Sequence, residues 1–195
     1  MTFEVITLGC KVNSCESAAI SERFSEDGFT PAESGAPADV YIVNSCAVTA
    51  MSEKKARQVI SRCKRDNPDC VTVLCGCFPQ AYPEAAGKVA GADIVTGNSA
   101  KGTIPALVRK YLSEHIRCMK VDPMTRQFDE AAAGADVDRT RAFIKIEDGC
   151  DRFCTYCIIP TARGRVRSRT PEEITAQAVK CVESGHKEIV LTGIN

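Results

Sequence analysis

DVYIVNSCAVTAMSEKKARQVISRCKRDNPDCVTVLCGC spans residues 39–77, and its reading decides the fold. Each end is an apolar run of strand length that finishes on a cysteine, Cys46 and Cys77. Between them Ala56, Val59, Ile60 and Cys63 recur at i, i+3, i+4 and i+7, the period of a helix with one buried face. That helix should stop before Asn67-Pro68. A strand, a helix and a second strand in that order predict parallel pairing through a crossover.

The same alternation continues on both sides. FEVITLG (residues 3–9) reads as an earlier strand. Asn13 with Glu16 three residues on reads as a capping box, opening a helix that buries Ala19, Ile20 and Phe24 and ends near Gly28. A short helix is expected from about Pro83, and ADIVTG (residues 92–97) reads as a fourth strand. Ile104, Leu107, Val108, Tyr111 and Leu112 share one face of a last helix. Strands with near-continuous apolar runs are covered on both faces, so the predicted class is α/β, a parallel sheet with helices packed on it.

Residues 118–139 lose this period and crowd Pro, Gly, Ala and acidic residues, which predicts a linker with one short strand at its start. RAFIKIEDGC (residues 141–150) then reads as a new strand. Thr170 reads as an N-cap with Pro171 at the first helical position, and Ile174, Ala178 and Cys181 face inward. KEIVLTGIN (residues 187–195) reads as the next strand. The predicted division is residues 1–117, a linker over 118–139, and one β-α-β unit over 140–195. That unit is too small to close a core alone. Its inner face, near Ile144, Ile146, Val190 and Ile194, is expected to lack cover, and the segment after about residue 140 to be the looser part.

Composition excludes little. Of 195 residues, 44% are hydrophobic and 26% charged, as in ordinary globular chains. Lys+Arg and Asp+Glu both number 25, so net charge does not mark a nucleic-acid binder. No apolar run approaches a membrane span, and MTFEVITLGCK does not resemble a signal peptide. A cytoplasmic protein without a membrane partner is expected. The chain holds 12 cysteines, and in a reducing compartment such a number points to metal binding rather than disulfides.

Two sets of three stand out. Cys150, Cys154 and Cys157 lie on one loop, GCDRFCTYCIIP (residues 149–160), just past a strand end, where parallel α/β folds bind ligands. Three thiolates hold three irons of a [4Fe–4S] cube and leave one iron open to an external ligand. A zinc knuckle completed from afar, or an ordinary ferredoxin cluster, would also use thiols, but no fourth cysteine follows closely. Cys10, Cys46 and Cys77 end three successive strands and should meet at one sheet edge. They read as a second cluster with an open iron, or else as three buried thiols in tight turns.

CxxxCxxC with Tyr156 before its last cysteine resembles the radical S-adenosylmethionine (SAM) enzymes. TLGCKVN, VNSCAVT, GCFPQ, RTRAFIKIEDGCDRFCTYCIIPTARG and VLTGIN together resemble the methylthiotransferases of that class, over nearly the whole chain. The resemblance implies two [4Fe–4S] clusters, one on Cys150, Cys154 and Cys157 and an auxiliary one on Cys10, Cys46 and Cys77. It implies SAM as cofactor, with Tyr156, Arg163 and Asn195 at its pocket, and an electron donor such as flavodoxin or ferredoxin. It also implies insertion of sulfur and a methyl group into an unreactive C–H bond.

Lys11-Val12-Asn13 fits the subgroup acting at C2 of N6-threonylcarbamoyladenosine beside the tRNA anticodon, which makes the anticodon stem-loop the expected partner. Isopentenyl-adenosine in tRNA and a ribosomal protein are the other substrates of this class. A two-cluster electron-transfer or carrier protein is the reading from another class. The family barrel has about six β/α units followed by a small RNA-binding β domain, so this chain is expected to be an N-terminal fragment, inactive alone. The sulfur donor is not implied.

The remaining cysteines, 15, 63, 70, 75, 118 and 181, are read as packing residues, with Cys75 the rival to Cys77. Arg163, Arg165, Arg167 and Arg169 alternate, so an extended segment would point all four one way, toward tRNA phosphates or the SAM carboxylate. The basic residues of the helix over 52–65 read as a solvated face. GNSAKG (residues 97–102) lacks the GK[ST] of a phosphate loop and reads as a helix-opening turn.

Overall fold

A computed structural model describes all residues except 49, 100, 129–140 and 195. Asn195 and the second half of the expected linker therefore lie outside the described residues.

β1 (Thr2–Leu8), β3 (Val40–Ser45), β4 (Val71–Gly76) and β5 (Ile94–Thr96) are the four expected strands. With β2 (Thr30–Pro31) and β6 (Cys118–Lys120) they form one fully parallel sheet in the order β2-β1-β3-β4-β5-β6. Every residue of β3 and β4 is buried, because helices cover both faces. α1 (Lys11–Glu26) and α5 (Ile104–Glu114) bring Ile20, Phe24, Ile104 and Val108 onto Val40, Ile42, Val73 and Ile94. α2 (Ala50–Asp66) brings Ala56 and Ile60 onto Val43, Leu74 and Val95 on the other face. α3 (Cys77–Ala81) and α4 (Pro83–Gly87) add Phe78 and Ala86 there.

Three features differ from the sequence reading. β2 was not expected; it is two exposed residues with a proline, the chemistry of a strand edge. The short strand expected at the start of the linker is present as β6, but it pairs with β5 and so belongs to the first sheet. The cap of α1 also moves: Cys10 is the N-cap, and Asn13 reaches back to its backbone N–H at 3.4 Å. Asn13 is thus the reaching side chain of the box and not its cap, and Glu16 is released for another partner.

The second sheet is β8-β7-β9, from β7 (Arg141–Asp148), β8 (Arg167–Ser168) and β9 (Glu188–Gly193). β7 and β9 run parallel, and β8 adds antiparallel. α6 (Ile159–Arg163) follows the cysteine loop, and α7 (Pro171–Glu183) crosses between β8 and β9. Thr170 caps α7 as expected, and Glu173 completes a capping box. The expectation of an uncovered face at Ile144 and Ile146 is corrected. Ala142, Ile144 and Ile146 pack under α7 with Cys181, Ile174 and Ala178. The opposite face of β7 lies on α1, where the Cys15 thiol reaches the Phe143 carbonyl at 3.3 Å. No described helix is long and apolar enough to cross a membrane.

Candidate metal centre at the junction of the two sheets

Strand register places the first cysteine trio. Leu8, Ser45 and Gly76 pair in one row across β1, β3 and β4. Cys46 and Cys77 are the next residues beyond that row, and Cys10 is the second. Adjacent strands lie about 4.8 Å apart, so three thiol-bearing residues stand side by side on one sheet edge. Cys10 is exposed, Cys46 half-buried and Cys77 buried. Buried Asn13 braces the edge by donating to Asn44 Oδ1 and the Ser45 carbonyl, each at 3.4 Å.

The second trio follows β7. Cys150 is buried, Cys157 half-buried and Cys154 exposed. The Cys150 N–H donates to the Gly164 carbonyl at 3.0 Å, and the Cys157 N–H to the Cys154 carbonyl at 2.9 Å. Tyr156 is 91% exposed, so its ring is available to a ligand and contributes nothing to a core.

The two trios meet through α3 and α6, which lie against each other. Asn98, just past β5, donates to the Ala162 carbonyl of α6 at 2.6 Å and to Cys77 Sγ at 3.5 Å. Beside this contact lies a buried ion cluster. Glu16 Oε1 accepts from Lys145 Nζ and Arg163 Nη1, each at 2.8 Å, and Oε2 pairs with Lys101. Asp148 accepts from Lys145 at 2.8 Å, Arg163 at 3.0 Å and Arg167 at 3.3 Å. Four cations face two carboxylates, so the cluster holds an excess of positive charge next to Cys77.

That charge shifts the ionisable groups around it. Burial pushes the Glu16 carboxyl up, but Arg163, Lys101 and Lys145 outweigh it and hold it well below its ordinary 4.5. Asp148 behaves alike: burial raises it, and Arg163 and Lys145 bring it below 3.8. Burial raises Cys77, with Arg163 and Lys101 opposing. Cys75 sits inside the core among Val73, Ile94 and Ile104, and burial pushes it up to about 12.

The arginine row is corrected. α6 and then Gly164, with φ of +75°, break the extended phase that would align the side chains. Arg163 and Arg167 turn inward onto carboxylates, Arg165 lies over the exposed Phe153 ring at 5.4 Å, and Arg169 lies over Phe128. Arg163, expected at a SAM pocket, has its charge engaged by Glu16 and Asp148. Lys101 of GNSAKG is likewise ion-paired to Glu16. Glu16, Lys101, Lys145 and Asp148 were not singled out as site residues by the sequence; a charged residue inside an apolar period was the available signal.

Residues 2–97 match the family described as uncharacterized protein family UPF0004, and residues 144–195 match the radical SAM superfamily. Over 97% of its length the chain is 44% identical to the threonylcarbamoyladenosine tRNA methylthiotransferase MtaB of Bacillus subtilis (strain 168), covering 42% of that protein. The chain resembles the radical SAM methylthiotransferases. A further member, MtaB of Thermotoga maritima, is 39% identical over the whole chain, with 44% of the relative covered. The tRNA-2-methylthio-N(6)-dimethylallyladenosine synthase of Sphingopyxis alaskensis is 32% identical over the whole chain, with 44% covered. The chain thus spans less than half the length of these methylthiotransferases. In fold it resembles the radical SAM methyltransferase TsrM of Kitasatospora setae, solved with tryptophan and a SAM analogue. The TM-score is 0.62 at 12% identity, over 98% of this chain and 47% of that one.

The radical SAM match over residues 144–195 implies a [4Fe–4S] cluster and SAM, and the three thiols of the cysteine loop fit that cluster, with the strand-end trio a candidate for a second. Among the described residues no three Cys, His, Asp or Glu side chains could hold a metal ion. A cube gives each thiolate its own iron and so needs wider spacing than a single ion does. Thiols on three neighbouring strands, and a loop with three more, supply that chemistry. Cys77→Ala should then remove about four irons from a reconstituted chain, while Cys75→Ala keeps them. Iron assay decides it, and loss at Cys75 alone would reverse the assignment.

Proposed function

We propose that this chain holds the two iron–sulfur centres of a tRNA methylthiotransferase acting at C2 of N6-threonylcarbamoyladenosine, beside the anticodon. The observation that carries the reading is the packing of α3, which opens on Cys77, against α6, which follows the cysteine loop, bridged by Asn98 between Cys77 and Ala162. Names of relatives over the whole chain support the substrate. In this reading Cys150, Cys154 and Cys157 hold the cluster that donates an electron to SAM, and Cys10, Cys46 and Cys77 hold the auxiliary one that supplies sulfur. The exposed Tyr156 ring is a surface for SAM, and Asn195 is assigned to the same pocket. Arg163 acts from behind, placing its charge between Glu16 and Asp148. The first domain runs through β6 to about residue 120, beyond the expected boundary at 117, a linker follows to about 139, and the radical SAM portion begins near 140. A cytoplasmic location, a flavodoxin- or ferredoxin-type electron donor and a separate sulfur source complete the proposal.

Anaerobic reconstitution tests the centres. Two cubes should give about eight irons per chain. Changing Cys150, Cys154 and Cys157 together to Ala should leave about four. A value near four that this change does not alter would sink the assignment. Nucleoside mass spectrometry of tRNA from a strain lacking the full-length gene tests the substrate: methylthio-threonylcarbamoyladenosine should vanish, and loss of a methylthio-dimethylallyl nucleoside instead would move the protein to the other subgroup.

A further inference from the structure

A cavity of about 300 Å³ opens between the two sheets, lined among others by Asn98, Met124, Phe128, Lys145, Asp148 and Arg167. This is the small end of the range for ligand sites, the size of a side arm rather than a nucleotide. Its position is informative. Asn98 on one wall contacts Cys77, and Asp148 on the other is followed directly by Gly149-Cys150. The cavity therefore shares one wall residue with the contact to Cys77 and another with the strand that leads into the cysteine loop.

Two of its lining residues each carry a buried polar atom with no hydrogen-bond partner among the described residues, Arg167 Nε and Asn98 Oδ1. Arg167 is 6% exposed and Asn98 5%. Neither group is free to turn away. Arg167 Nη1 donates to the Arg163 carbonyl at 2.7 Å and the Thr125 carbonyl at 3.2 Å, and Nη2 to Asp148. Asn98 Nδ2 is held by Ala162 and Cys77. A fixed, buried and unpaired donor and an unpaired acceptor on lining residues of one cavity are unfavourable unless a ligand or water completes them.

The complement is a group with an acceptor for Nε–H and a neighbouring donor for Oδ1. The surplus of cations around the cavity selects an anion. A carboxylate next to a hydroxyl or N–H meets all three demands. A threonylcarbamoyl arm carries such a set; a dimethylallyl arm is apolar and would leave both protein atoms unpaired. We propose that this cavity receives the carboxylate end of the threonylcarbamoyl arm, with Arg167 as the specificity-determining residue. This rests on the function proposed above. SAM also ends in a carboxylate beside an ammonium, so the test separates the two sources.

The probes are N6-threonylcarbamoyladenosine, its methyl ester and N6-dimethylallyladenosine, titrated calorimetrically into the reconstituted chain. The free acid should bind about tenfold or more tightly than either analogue, the weight of one charge-assisted hydrogen bond. Arg167→Lys keeps a cation for Asp148 but removes the Nε–H, so it should bring the acid to the level of the ester and leave the ester unchanged. Unaltered iron content reports that the variant is folded. Equal binding of acid and ester by the wild-type chain overturns the proposal and leaves the cavity to water. Displacement of the acid by saturating SAM overturns it in favour of the SAM amino-acid end. Binding of none of the three overturns the subsite alone, because iron content and tRNA nucleoside analysis judge the functional reading separately.

Discussion

Glu16→Ala should destabilise the chain by about 3–5 kcal/mol, the range for removing one partner of a buried ion group. Glu16 is 2% exposed and binds Lys101, Lys145 and Arg163 at once. It stands on α1, while Lys145 and Arg163 belong to the second unit, so the loss strikes the contact between the two sheets. Asp148 alone would then face four buried cations. The acid limb gives a second readout. Glu16 and Asp148 both have folded pKa values below their ordinary 4.5 and 3.8. A depressed carboxyl contributes stability that is present above its unfolded value and lost as pH falls through the folded one. The wild-type chain should therefore lose stability from about pH 4 downward, and Glu16→Ala should flatten that slope. Urea unfolding followed by circular dichroism across pH 2–7 measures both. A loss under about 1 kcal/mol at pH 7 would mean that water takes over the three cations.

Glu16 also marks where sequence reading stops. The strands, the helix faces and the Thr170 cap follow from local periods and were legible. So were the six candidate thiols, since each closes a strand or sits in one loop. Glu16 fits a capping box with Asn13 equally well on spacing, and its real partners lie at 101, 145 and 163, beyond any local rule. The arginine row failed for a related reason. Alternation predicts a shared direction only in extended chain, and a one-turn helix ending at Arg163 resets the phase. β2 has two residues, too short to show a period against flanking loops, and the short strand expected near residue 118 gave no sign that it would join the first sheet.

Gly149→Ala should be the most damaging change in the cysteine loop, costing about 2–4 kcal/mol through backbone strain and displacement together. Gly149 has φ of +91°, and a Cβ there would stand 2.1 Å from the Arg165 carbonyl oxygen and 2.6 Å from its carbon. Those are backbone atoms, and they cannot recede easily. Gly164 beside them is held against Met124, and its carbonyl accepts the Cys150 N–H. The loop must therefore give way, and Cys150 with it. The reconstituted variant should keep about four irons, on Cys10, Cys46 and Cys77, and lose the other four. Gly185→Ala is the control, because Gly185 has a nearly identical φ of +90° with nothing within 4 Å of an added Cβ. It should carry only the conformational term, about 1 kcal/mol, and keep all its iron. Equal losses at the two glycines would show that φ alone sets the effect and that the Arg165 carbonyl does not hold the cysteine loop in place.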